Sequence, residues 1–236
     1  NNIIYFIVVL LIFTTNYPGT TPEGPLLQAL SMLLAVWVIF AAYCRWEVAR
    51  LLGRFPDRKS DPRLTGAYQS LTLRLSILAI LLFALDIYVF RIKYWIQAIP
   101  GFRAFTLFQG IMGLALFFFY LGTIWYFSHP VYRRAMQTDI GRRAFIVSNL
   151  KFNIPVLLPW AILTLIFDLI SLSPWYGLVR FLDRPEGLMI FFAFFVILLM
   201  AFLPAIVQYG WGCRPFEPSE KVRAVEAFLR DHGFRY

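Results

Sequence analysis

FTLFQGIMGLALFFFYLGTIWYF, Phe105–Phe127, carries no charged residue from end to end. A helix rises 1.5 Å per residue, so about 20 such residues cross the roughly 30 Å hydrocarbon core of a bilayer. Helix is the only reading that works there. Backbone groups in lipid must be satisfied within their own segment, and the run lacks the period-2 alternation of a barrel strand. Four more stretches reach the same length and are mostly apolar: Leu26–Cys44, Tyr68–Phe90, Phe152–Leu172 and Leu188–Gly210. Ile3–Phe13 is a sixth, short or truncated. The expectation is an all-α polytopic bundle of six spans.

Composition agrees with this and excludes the soluble alternative. Of the 236 residues, 60% are hydrophobic and only 15% charged, and the mean hydropathy is +0.67. Ordinary globular chains hold roughly 45–50% apolar and about 25% charged residues. The net charge of +9 invites a nucleic-acid reading, but the basic residues form short clusters between apolar runs rather than one patch. There they orient the chain and meet anionic lipid, so no nucleic-acid partner is expected.

The clusters alternate. Arg45–Gly66, Ser128–Lys151 and the tail after Trp211 hold sixteen Lys and Arg; Asn16–Pro25, Arg91–Ala104 and Ser173–Gly187 hold five. Only Arg74, inside a span, is left over from the 22. The positive-inside rule places the richer side, with both termini, in the cytoplasm, and a bacterial inner membrane is the expected location. Aromatic pairs such as Tyr43 with Trp46, Tyr94 with Trp95 and Trp125 with Tyr126 mark the expected interface levels. Cys44 and Cys213 both fall at expected cytoplasmic helix ends, so no disulfide framework is expected.

The chain changes character near Cys213, which divides it into a bundle, 1–213, and a tail, 214–236. Pro215 and Pro218 break the last span, and Ser219 can cap a new helix with Glu220 in its first turn. Val222, Val225, Phe228 and Leu229 line one face of that helix, and Gly233 can close it. The reading is a short amphipathic cytoplasmic helix, the expected start of a following soluble domain.

The tail WGCRPFEPSEKVRAVEAFLRDHGFRY resembles the junction between membrane region and protease domain in HtpX-like and CAAX-prenyl-protease-like membrane zinc metallopeptidases. The loop LLGRFPDRKSDPRL and the span entry FNIPVLLPW resemble a bacterial subgroup of the same family. The resemblance implies a membrane anchor for a peptidase acting on protein substrates at the cytoplasmic face. That chemistry needs HExxH, two histidines on one helix face around zinc with a glutamate beside the bound water. The two histidines here, His129 and His232, begin no such motif. No catalytic, cofactor-binding or metal-binding residue therefore falls on this chain, and zinc is expected only with a catalytic domain after Tyr236.

Three charged residues inside the spans form the candidate polar site: Asp86, Asp168 and Arg74. Intramembrane carboxylates are functional-site hypotheses by default, since they are expensive to keep. Asp86 and Asp168 could pair across spans, bind a cation or relay protons, which gives the alternative of a small transporter or channel. The competing account has each carboxylate near the interface, snorkelling or paired with Arg91, Lys93 or Arg180. Arg74 can reach the headgroups by its long stem or form a salt bridge inside the bundle. Pro155 and Pro159 are expected near the cytoplasmic start of their span, where they are cheap. Gly110 and Gly113, three apart, make no GxxxG face. RWEVARLLGRF can lie on the inner leaflet as a basic amphipathic helix. A third alternative is a non-catalytic membrane subunit whose basic loops and tail hold partner proteins.

Overall fold

The computed structural model describes residues 2–16, 25–55, 62–103, 105–174, 176–211 and 228–230. Among them there is no strand. The chain runs α1 (Asn2–Thr15), α2 (Leu26–Arg54), α3 (Pro62–Tyr88), α4 (Ile92–Ala98), α5 (Thr106–Met136), α6 (Arg142–Ser171), α7 (Tyr176–Leu182) and α8 (Pro185–Trp211). Five of these, α2, α3, α5, α6 and α8, are long and apolar enough to cross a membrane. The protein is a polytopic membrane protein. α1 is apolar but shorter, so the sixth span has the length of a partial crossing.

α5 is the hub, packed against α1, α2, α3, α4 and α6. Half of its apolar window is buried, against 6% for α2 and α8, which separates a central helix from peripheral ones. Rings from three helices meet its own. Phe117 stands edge-on to Phe6 of α1 at 5.7 Å and to Phe83 of α3 at 6.0 Å, and Tyr120 stands edge-on to Phe40 of α2 at 5.4 Å. Edge-to-face geometry suits the ring quadrupoles and adds to the area buried. α8 packs mainly on α6 and α7 and turns large apolar side chains outward, Met189, Ile197 and Met200 among them. A helix apolar on every side is at home only in lipid or a large core.

Two glycines bring helices together. A Cβ on Gly110 would lie 2.4 Å from the Trp160 ring of α6, and one on Gly113 would lie 2.6 Å from the Phe13 ring of α1. Each glycine is a seat for one aromatic ring.

Several boundaries differ from the sequence expectation. RWEVARLLGRF is no separate surface helix; it continues α2 without a break to Arg54. α5 runs nine residues past Phe127, through Pro130, to end where Gln137 adopts a left-handed conformation, φ 50°. Trp125, expected at the interface, is buried within it. α6 starts at Arg142, so Pro155 and Pro159 lie in its interior rather than near its start. Interior prolines each remove a ladder hydrogen bond, so α6 carries a weakened middle. Segments rich in Arg and Glu do not stop a helix, since these residues have good helix propensity; only the apolar window ends there. The amphipathic tail helix and the division at 213/214 lie outside the described residues, apart from a helical stretch at 228–230.

Candidate functional site

Asp86 sits in the last turn of α3 and is completely buried. Its Oδ2 accepts a hydrogen bond of 2.8 Å from the Tyr120 hydroxyl of α5. Its Oδ1 has no partner. The surroundings are apolar: Phe83, Ile87 and Phe117 are all fully buried. Neither Arg91 nor Lys93 forms an ion pair with it, contrary to the interfacial account.

Asp168 does something else. Its Oδ2 accepts a 2.8 Å hydrogen bond from the backbone N–H of Leu107, in the first turn of α5. The residue at the α5 N-cap, Phe105, offers no side-chain cap. The first N–H groups of a helix have no partner within it, and a carboxylate there also meets the positive end of the helix dipole. A carboxylate from α6 thus caps α5 and ties the two helices together. Asp168→Ala is expected to destabilise the bundle by about 1 kcal/mol, the usual loss of a cap, with Asp168→Asn milder. Unfolding in detergent, followed by helix content, checks the order of the two variants.

A third charged group sits at the same end. Lys93, on α4, is buried and its ammonium donates to the carbonyls of Phe13 (2.6 Å) and Asn16 while lying 4.9 Å above the Phe13 ring. Orphan carbonyls at a helix C-terminus attract cations, and here the lysine caps α1. Burial holds its pKa below the ordinary lysine value of 10.5. Arg91, with φ 53°, makes the sharp turn that aims α4 inward. Gln109 completes the tie, donating to the Phe102 carbonyl at 2.7 Å and accepting from the Gln97 amide at 2.9 Å.

Arg74 belongs to neither place. It is exposed and lines a cleft of about 150 Å³ between α2 and α3 with Glu47, Arg50, Leu51, Arg54, Ala67, Ser70 and Leu71. The three candidates are therefore scattered. Asp86 and Asp168 reach α5 at Tyr120 and Leu107, thirteen residues apart, about 20 Å along the axis. They do not pair. Arg74 lies twelve residues before Asp86 on α3, about 18 Å away.

No family model matches this chain, and no curated protein or solved structure does. The site has to be read from its own geometry. Among the described residues no three His, Cys, Asp or Glu side chains converge as metal ligands. His129 is buried inside α5, its Nε2 2.9 Å from the Ile140 carbonyl, where it ties α5 to the α5–α6 connection. His232 and Cys213 lie outside the described residues, and Cys44 is a buried free thiol. Gln208 is exposed on α8, while Asn153 is buried in α6 with its amide on the Asn149 carbonyl, 2.7 Å away. Sequence reading missed Tyr120 and the inward-facing Lys93. The available signal for Tyr120 was its position: tyrosines favour interfaces, and this one stands in the middle of a span.

Proposed function

We propose that the chain is the membrane-anchoring bundle of a membrane-bound zinc metallopeptidase, with its basic side in the cytoplasm and its catalytic domain carried after Tyr236. The observation that supports an anchor is how the charged groups are used. Asp168 caps α5, Lys93 caps α1 and Asp86 ties α3 to Tyr120, so each one fastens helix to helix. The transporter alternative drew on two carboxylates facing one path, and these stand about 20 Å apart along α5. The resemblance of the tail and of two loop segments to the HtpX-like and CAAX-protease-like group supplies the chemical class.

In this reading the bundle performs no chemistry. It holds a peptidase at the inner surface and sets its distance from membrane-linked protein substrates. The test is the intact mass of the native polypeptide, with sequencing past Tyr236 and metal analysis. A longer chain with HExxH and one bound zinc is the expected result; a native chain without that element ends the reading.

A further inference from the structure

The cleft beside Arg74 has a regular construction. On α2 its walls come from Glu47, Arg50, Leu51 and Arg54, and on α3 from Ala67, Ser70, Leu71 and Arg74. Both sets follow the spacing i, i+3, i+4, i+7, which is one continuous face of a helix. Two consecutive spans thus turn matching faces to each other and leave a gap instead of a packed seam. Leu51 and the buried Leu71 are its apolar members. Ala67 is small, and Ser70 brings a hydroxyl.

Charge makes the cleft selective. Three arginines and one glutamate line it, a net charge of +2. Among the described residues Glu47 pairs with Arg50, at 3.6 Å, and Arg50 also lies 5.3 Å from the centre of the Trp46 ring, which fixes its direction. Among the described residues neither Arg54 nor Arg74 has an ion-pair partner. Arg74 lies about six residues inside the apolar stretch that begins at Tyr68, roughly 9 Å along the helix. In the cleft it faces the polar end of α2 beyond Cys44, where its exposed guanidinium is open to an anion. Guanidinium groups match phosphate oxygens in geometry as well as charge. Tyr43 and Trp46, 6.0 Å apart on α2, are side chains of the kind that favours the headgroup level.

We propose that this cleft binds a phosphate monoester through its three arginines, Arg50, Arg54 and Arg74. The phosphate belongs either to the headgroup of a lipid in the adjacent leaflet or to a soluble phosphoester. Its net charge matches the dianion of a monoester and exceeds that of a phosphodiester. The site is independent of any peptidase activity.

The experiment uses the purified chain in nanodiscs of phosphatidylcholine with and without phosphatidic acid, with retained lipid counted by native mass spectrometry. One retained phosphatidic acid per chain, preferred over phosphatidylcholine, is expected. Losing two charge-assisted contacts in Arg54→Gln/Arg74→Gln should weaken retention about tenfold or more. Arg143→Gln, a basic-side arginine away from the cleft, should leave it unchanged. Glu47→Gln removes the negative wall and should tighten binding about threefold, a gain that a misfolded variant cannot mimic. Inorganic phosphate at millimolar concentration separates the sources. Displacement of the lipid assigns the site to phosphate from either source, and resistance assigns it to the lipid headgroup. Equal retention of the two lipids with no phosphate binding overturns the proposal, as does an Arg143→Gln loss equal to that of the double variant.

Discussion

Gly113→Leu should lower the stability of the bundle by about 3 kcal/mol, the upper range for overpacking a filled site, with α1 released from α5 as the visible result. The first added carbon already falls 2.6 Å and 2.7 Å from two atoms of the Phe13 ring. Phe13 is itself buried, and the Lys93 ammonium lies 4.9 Å from the centre of its ring. Swinging the ring aside would cost its burial and its contact with the lysine. Gly122 is the control on the same helix, since nothing lies within 4 Å of a Cβ there. Thermal unfolding in detergent should separate the two leucine variants clearly, and α1 should become accessible to proteolysis in the first alone. Equal behaviour of both variants would remove the close approach of α1 to α5 from the account.

The second large effect comes from the Asp86–Tyr120 pair, through its asymmetry. Tyr120→Phe leaves a buried carboxyl with no partner at either oxygen, and Asp86→Leu strands a buried hydroxyl; each is expected to cost about 1–3 kcal/mol. Replacing both groups together leaves no unsatisfied polar atom. The double variant Asp86→Leu/Tyr120→Phe should therefore be more stable than at least one of its parents. A coupling of about 1 kcal/mol or more from the complete cycle identifies the pair as a structural tie. Additive losses mean that the two side chains act separately, and Asp86 then regains its claim to a role outside packing.

The spans were legible in the sequence because an apolar window depends on composition alone. Their ends were not. Arg45 to Arg54 reads as a cytoplasmic connection, yet continues α2, since leaving the hydrocarbon gives a helix no reason to stop. The polar groups were legible as a set and illegible as a site. Asp86, Asp168 and Arg74 are visible as charges within apolar runs, but their partners are a hydroxyl, a backbone amide and a cleft on other helices. Facing between helices depends on packing that no single segment encodes. Lys93 was counted as a loop cation for the same reason: its direction follows from the left-handed turn at Arg91, which an arginine does not announce.

α5 has a further consequence through its length alone. Its 31 residues extend about 46 Å, half again the thickness of the hydrocarbon. The apolar run to Phe127 takes up about 33 Å of it, so the excess lies at the C-terminal end, Ser128–Met136. Asp168 of α6 holds its first turn, and His129 holds the connection that follows it. α5 thus works as a keel: its nine residues past Phe127 project about 13 Å beyond the apolar run.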